Sequence, residues 1–314
     1  MRRFLFHILI ASIFACTILL SFTWYNAHWI READFKLSKS THIIAIGPST
    51  TGCALNEKHI AGFLNMSRNG TGFSLFIPLL PRILKDNPPI DTVLINHGRF
   101  LFKQEPGKQE NRIMAMRDQV PIMFYDLALT EWNNLLSNST FYCALLNPDI
   151  IQMFISDTPK HIKDFGFQYS ELERNNLKEQ HKKWSVAWYD SIASTGNSYK
   201  YSGKWIKENC STNDQLIRKV ITICKNNNVV PVLFFTPLYH YERWYPIKGF
   251  CDYMKDYDDN TLIADYEDFV FPDDSYYGDV HHLNSKGADY FTSYIAKHGL
   301  NVKTLKEWLK EKGY

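Results

Sequence analysis

The sequence predicts an α/β protein with a parallel sheet that helices cover on both faces. Short apolar runs that end in turn residues recur along the chain, as in HIIAIGPS at 42–49 and DTVLINHG at 91–98. Such runs are typical of strands that are buried on both faces. Segments with helical periodicity lie between them, and this alternation of strand and helix favours a parallel sheet.

Two further runs extend this pattern towards the C-terminus. VVPVLFFTP at 229–237 predicts a third strand, and TLIADYEDF at 261–269 predicts a fourth. Helices are expected at 55–63, 75–87, 212–228 and 285–300. Residues at about 103–211 interrupt the alternation, and we interpret them as a helical insertion within one domain that spans 31–314. Ligands of such sheets bind beyond the carboxyl ends of the strands.

The N-terminus predicts a membrane anchor at 1–30. FLFHILIASIFACTILLSFTW at 4–24 is an apolar run of 21 residues, which as a helix spans about 31 Å, the thickness of the hydrocarbon core of a bilayer. Aromatic residues follow it directly, as at a membrane interface. Arginines before the run favour a signal anchor, which exports the rest of the chain. A cleaved signal or a lipoprotein modified at Cys16 remains an alternative.

Composition limits the partners that the chain is expected to bind. The formal net charge is +2 and no basic stripe stands out, so we do not expect nucleic acid binding. Aromatic residues reach 15% of the sequence. They suit a core and a membrane surface, and they also suit sugar binding.

Two remote segments supply the parts of a catalytic triad. Gly47-Pro48-Ser49 places a serine directly after a buried strand, and Asp279 precedes His282 by three residues near the C-terminus. A serine hydroxyl needs a base to remove its proton, and the base needs a carboxylate to fix its tautomer. His281 is the competing base. Ser49 is alternatively a helix cap.

A metal site is a further alternative for the C-terminal segment. Its hard oxygen and imidazole ligands are Asp273, Asp274, Asp279, His281 and His282. No pair of them has a fixed helical spacing, so we do not expect a metal.

Together, IIAIGPSTTGCALN and GDVHHLNSKGA resemble the SGNH (GDSL-type) hydrolases, which carry an N-terminal serine block and a C-terminal D-x-x-H block. The resemblance implies a three-layer α/β/α sandwich with a flavodoxin-like parallel sheet that acts on ester-linked acyl groups without a cofactor. Ser49 matches the nucleophile, His282 the base and Asp279 the orienting carboxylate. Gly70 matches the glycine of the oxyanion hole, to which the Ser49 N–H also contributes.

The anchor followed by these two blocks is similar to envelope members of the superfamily, including D-alanyl-lipoteichoic acid transfer and alginate O-acetylation proteins. This similarity implies an exported esterase or O-acyltransferase for an acylated envelope glycan, with possible envelope protein partners. Two departures favour an alternative, an inactive protein that binds glycan or acts as a scaffold. Pro48 replaces the aspartate before the serine, and the Gly-x-Asn-Asp block is absent, with Asn96 as a substitute donor.

Overall fold

The computed structural model describes most of the chain outside its centre. The described ranges are 2–32, 36–67, 76–99, 211–239 and 247–314, with single positions or pairs at 73, 186–187 and 190–191. Gly70 and nearly all of the predicted helical insertion at about 103–211 lie outside the described residues. The chain divides into two compact units, of which the first contains the N-terminal helix and the second contains the sheet.

The predicted N-terminal helix is present as α1, Arg2–Glu32. Large apolar side chains such as Phe4, Leu9 and Phe14 are exposed along it. Among the side chains that the structure describes, which in α1 are those at 2–18 and 21, no helix is long and apolar enough to cross a membrane.

The second unit contains a six-stranded, mostly parallel sheet within the described ranges. The strand order is β2-β1-β3-β4-β5-β6, and only the pairing of β5 with β6 is antiparallel. The strands are β1 Ile43–Ile46, β2 Phe63–Asn65, β3 Thr92–His97, β4 Val230–Phe235, β5 Leu262–Asp265 and β6 Lys303–Thr304. The α/β class and the four predicted strands, which correspond to β1, β3, β4 and β5, are therefore confirmed.

Six helices accompany the sheet in the described part of this unit. They are α2 Ser49–Ala54, α3 Phe76–Asp86, α4 Ser211–Asn226, α5 Ile247–Met254, α6 Ser285–His298 and α7 Leu305–Glu311. Helix α2 packs against α6, and α3 packs against α4. The predictions of helices at 75–87, 212–228 and 285–300 are confirmed by α3, α4 and α6.

Both faces of the sheet are buried, as the continuous apolar runs predict. Ala45, Leu94 and Phe234 lie on one face and form a core cluster with Phe291 of α6. Successive side chains of a strand point to opposite faces. Ile95 therefore faces the other side, and it is also fully buried.

The prediction of a helix at 55–63 is wrong. Helix α2 ends at Ala54, a single 3₁₀ turn occupies Glu57–His59, and the edge strand β2 begins at Phe63. The N–H of Asn65 donates to Glu57 Oε2, and the N–H of Met66 donates to Ala45 O. Pairing with β1 outweighs the local helical pattern, because it satisfies backbone groups that the short segment could not satisfy alone.

Candidate active site

Ser49 is the first residue of α2. Gly47 directly follows the end of β1, and Ser49 comes two residues later. Gly47 is buried and leaves no room for a side chain, because a Cβ there would lie 2.4 Å from Asn96 Cβ and 3.0 Å from Thr51 Oγ1. The backbone of β1 can therefore approach β3 closely before it turns into α2. This close packing sets the position of Ser49 at the carboxyl edge of the sheet.

A tight turn at 279–282 holds the carboxylate and the imidazole on one side. The backbone N–H groups of His281 and His282 donate to Asp279 Oδ1 at 2.7 and 2.8 Å. The N–H of Gly278 donates to His282 O at 2.8 Å, which closes the loop. Aspartate favours such turns because its side chain accepts hydrogen bonds from the N–H groups that follow it.

Three side chains form a continuous hydrogen-bonded chain across the two segments. His282 Nε2 lies 2.8 Å from Ser49 Oγ, and His282 Nδ1 lies 2.9 and 2.8 Å from the two oxygens of Asp279. The side chains of His282 and Asp279 are only 18% and 19% exposed. The structure thus brings Ser49, His282 and Asp279 together in the order serine, imidazole, carboxylate, and it is His282 rather than His281 that contacts the serine.

The charge of Asp279 determines which nitrogen of His282 carries the proton. Burial alone would raise the pKa of Asp279, but hydrogen bonds and charge interactions with His282 and His281 outweigh it and lower the pKa to about 2. The carboxylate is therefore ionised at neutral pH, and in the neutral form of His282 it accepts a hydrogen bond from Nδ1–H. Nε2 of this tautomer then has a free lone pair, which faces the Ser49 hydroxyl. Such a nitrogen can take the proton when the serine oxygen attacks.

The hydrogen-bond donors for a developing oxyanion are less clearly placed than the three side chains of the triad. The N–H of Ser49 begins α2, so it has no acceptor within the helix, and the preceding Pro48 provides no side-chain cap. Gly70 lies outside the described residues. Asn96 is fully buried, and its Nδ2 donates to Thr51 Oγ1 at 2.5 Å. In this position the amide supports the turn into α2. No described contact favours the predicted role of Asn96 as an oxyanion donor, and that role stays a prediction.

Two residues that the sequence analysis did not select also hold α2 in place. Thr51 accepts the hydrogen bond from Asn96. Asn65, at the end of β2, donates through Nδ2 to Leu55 O at 2.8 Å and to Thr51 O at 3.1 Å. Asn65 is 1% exposed. Its hydrogen bonds connect the last turn of α2 to the sheet. The sequence carried no local signal for Asn65, because the edge strand β2 that places it was itself not predicted.

Tyr239, the first residue of the aromatic run after β4, lies against the turn at 279–282. Its N–H donates to Val280 O at 3.3 Å, and its hydroxyl donates to Asp274 Oδ2 at 2.8 Å. Tyr239 and Tyr277 line a cavity of about 240 Å³ beside the turn. The run is YHYERWY at 239–245, and its residues at 240–245 lie outside the described residues.

His97, at the end of β3, lies on the opposite face of the sheet from Asn96. Its ring packs among aromatic side chains, including Phe235 at 5.4 Å and Phe250 at 5.7 Å between ring centroids. Burial lowers the pKa of His97 to about 3. His97 Nδ1 accepts a hydrogen bond from the N–H of Gly98. It is a neutral core histidine and does not belong to the Ser49 site.

The metal alternative has no geometry to support it. Across the part of the chain that the structure describes, no three His, Cys, Asp or Glu side chains are arranged to hold a metal ion. In the turn at 279–282, Asp279 is instead occupied by hydrogen bonds from His281 and His282.

Comparison of the sequence with protein-family models finds no matching family, and comparison with curated proteins finds no match. The inference of function therefore rests on the residues and on their arrangement.

Proposed function

We propose that the chain is a serine esterase or O-acyltransferase of the SGNH type, acting on ester-linked acyl groups of an envelope glycan. The observation that carries the proposal is the 2.8 Å contact between His282 Nε2 and Ser49 Oγ, with Asp279 on the far side of the imidazole. The finer fold that we propose is a three-layer α/β/α sandwich with a flavodoxin-like sheet. The strand order 2-1-3-4-5 of the parallel strands supports it.

The first step of the proposed reaction is acylation of Ser49. The Ser49 Oγ–H proton passes to His282 Nε2 while an oxygen electron pair forms a bond to the ester carbonyl carbon. The carbonyl π electrons move to the oxygen and create an oxyanion. Asp279 stabilises the imidazolium, because its ionised oxygens lie 2.8 and 2.9 Å from Nδ1.

Collapse of the oxyanion breaks the bond between the carbonyl carbon and the leaving oxygen. The leaving alcohol takes the proton from His282 Nε2, and the acyl group remains on Ser49. Water then repeats the sequence in a hydrolase, whereas a sugar hydroxyl repeats it in a transferase. Both reactions use the same residues, and neither needs a cofactor.

Stabilisation of the oxyanion depends on backbone donors. The Ser49 N–H is the donor that we assign among the described residues, and one such donor lowers the barrier by about 3 kcal/mol. Gly70 is the proposed second donor. The rate of turnover therefore depends strongly on whether a second N–H faces the same oxygen.

The test is hydrolysis of an aryl acetate by the full-length chain in detergent. We expect a rate above the background reaction that Ser49→Ala removes, while Ser40→Ala leaves it unchanged because Ser40 is exposed and contacts Ser38 instead. Equal rates for the wild type and Ser49→Ala would refute the assignment of Ser49 as nucleophile.

We also propose that residues 4–24 anchor the chain in a membrane and that the remainder is exported. The apolar run in the sequence and the exposed Phe4, Leu9 and Phe14 on α1 support this proposal. The full-length chain should remain in the membrane pellet after alkaline carbonate extraction. Ile10→Lys combined with Ile13→Lys should release it, and the matched double alanine variant should not. Release of the wild type would contradict the anchor.

The alternative function is a glycan-binding or scaffold protein of the envelope without turnover. The observation in its favour is the amide of Asn96, which is buried and donates to Thr51 Oγ1, so that no described contact supports it as an oxyanion donor. A scaffold does not require an activated serine. Covalent labelling of Ser49 by a fluorophosphonate therefore separates the two functions.

A further inference from the structure

A groove follows the outer face of α6 and is separate from the Ser49 site. Its cavity is about 520 Å³, within the range of ligand sites. Its lining includes Lys286, Tyr290, Tyr294 and Lys297, which recur at a spacing of three or four residues and so share one face of the helix. We call this surface the α6 groove. The opposite face of α6, with Phe291, is buried against the sheet.

Two tyrosine rings form an exposed surface along the groove. Tyr290 and Tyr294 are 42% and 40% exposed. Neighbouring rings hold them, since the ring of Tyr276 lies 5.1 Å from that of Tyr290, and the ring of Phe269 lies 5.0 Å from that of Tyr294. Rings held in this way bind a ligand with little loss of rotational freedom. Their apolar faces suit the C–H faces of a sugar, and their hydroxyl groups remain available for hydrogen bonds.

Cationic side chains lie at both ends of this aromatic surface. Lys286 Nζ lies 3.9 Å from the centroid of the Tyr276 ring and donates to Ser275 Oγ at 2.7 Å, so it is held in place. Lys297 lies eleven residues further along α6, about 16 Å away at the rise of an α-helix. The groove therefore presents two positive charges with tyrosines between them.

One acidic residue, Asp289, also lines the groove. Asp289 Oδ1 accepts a hydrogen bond from Asn56 Nδ2, and it lies 3.1 Å from His59 Nε2. With Lys286 and Lys297, the groove still carries more positive than negative charge.

We propose that the α6 groove binds a strand of an acidic polysaccharide. Sugar rings stack on Tyr290 and Tyr294, and carboxylate groups of the strand pair with Lys286 and Lys297. The proposal does not depend on Ser49, because binding in the groove requires no chemistry at that residue.

The test measures binding of the full-length protein in detergent to immobilised polygalacturonate, with neutral dextran of similar length as the comparison. We expect the wild type and Ser49→Ala to bind polygalacturonate equally and to bind dextran at least tenfold more weakly. Lys286→Gln with Lys297→Gln should lower the affinity about tenfold, the effect of losing roughly 1.4 kcal/mol. The matched control is Lys306→Gln with Lys310→Gln on α7, which should bind as the wild type does.

Paired substitutions of the tyrosines separate stacking from folding. Tyr290→Phe with Tyr294→Phe keeps both rings and should bind within about twofold of the wild type, whereas the double alanine variant should lose about tenfold. Retained binding by the alanine variant would overturn the proposal. No binding of polygalacturonate by the wild type would overturn it as well. So would equal binding of dextran, or binding confined to phosphatidylglycerol vesicles or oligothymidylate.

Discussion

In the Asp279→Asn variant, the side chain keeps its volume and one acceptor oxygen but loses its charge. The remaining oxygen can still accept hydrogen bonds from the N–H groups of His281 and His282, so the turn should keep its shape. The new NH₂ group, however, faces His282 Nδ1, which it can serve only as a donor. The imidazole then moves its proton to Nε2, and the free lone pair that faced Ser49 is lost.

The structure sets the size of this effect. The pKa of Asp279 falls from 3.8 to about 2. This shift corresponds to about 2 kcal/mol of interaction in favour of the charged carboxylate. Loss of that interaction alone would slow acylation by about 30-fold if all of it acted on the imidazolium. The wrong tautomer adds to the loss, and the same substitution in a serine protease triad lowers kcat by about 10⁴-fold. We therefore expect a decrease between these two values.

The assay is aryl acetate hydrolysis at mildly alkaline pH. Asp274→Asn is the matched control, because Asp274 is an exposed aspartate five residues before Asp279 that contacts the hydroxyl of Tyr239. It should keep the wild-type rate. A rate for Asp279→Asn within about threefold of the wild type would refute the proposed role of the carboxylate, since the expected loss is at least about 30-fold.

Gly47→Ala places a carbon 2.4 Å from Asn96 Cβ, so we expect the free energy of unfolding in urea to fall by about 2 kcal/mol. An unchanged urea midpoint would contradict the close packing. Two buried groups should give opposite pH dependences of stability. Burial raises the pKa of Glu267 to about 7 despite the attraction of Arg99, so its contribution to stability falls as the pH rises from about 4.5 to 7. Burial lowers the pKa of His97 to about 3, so its contribution falls as the pH drops from about 6.5 to 3. Between pH 4.5 and 6.5, we expect the stability of the Glu267→Gln variant to rise with pH and that of the His97→Gln variant to fall with pH. The reverse slopes would refute these assignments.

The central strands and the triad segments were predictable because each has a strong local signal. β1, β3 and β4 are apolar runs whose side chains are buried on both faces, so composition and turn residues suffice to locate them. Ser49 follows such a run directly, and the spacing between Asp279 and His282 fits one turn of the backbone. That the two segments meet follows from the position of strand ends in a parallel sheet.

Features that depend on tertiary contacts were not predictable in the same way. β2 is three residues long, and its pairing with β1 is decided by backbone hydrogen bonds that no local pattern reports. The direction of the Asn96 amide depends on Thr51, a neighbour 45 residues away in the chain. β6 is only two residues long and antiparallel, so neither its length nor its periodicity marks it in the sequence.

Covalent labelling of Ser49 by a fluorophosphonate tests the central claim most directly, because the reagent reacts with a serine only when a base activates it. The full-length chain should be labelled at Ser49, as located by mass spectrometry of the proteolysed protein. Ser49→Ala and His282→Gln should abolish labelling, whereas His281→Gln should retain it because His282 alone contacts Ser49 Oγ. Labelling that persists in His282→Gln, or a wild type that is not labelled, would contradict the account.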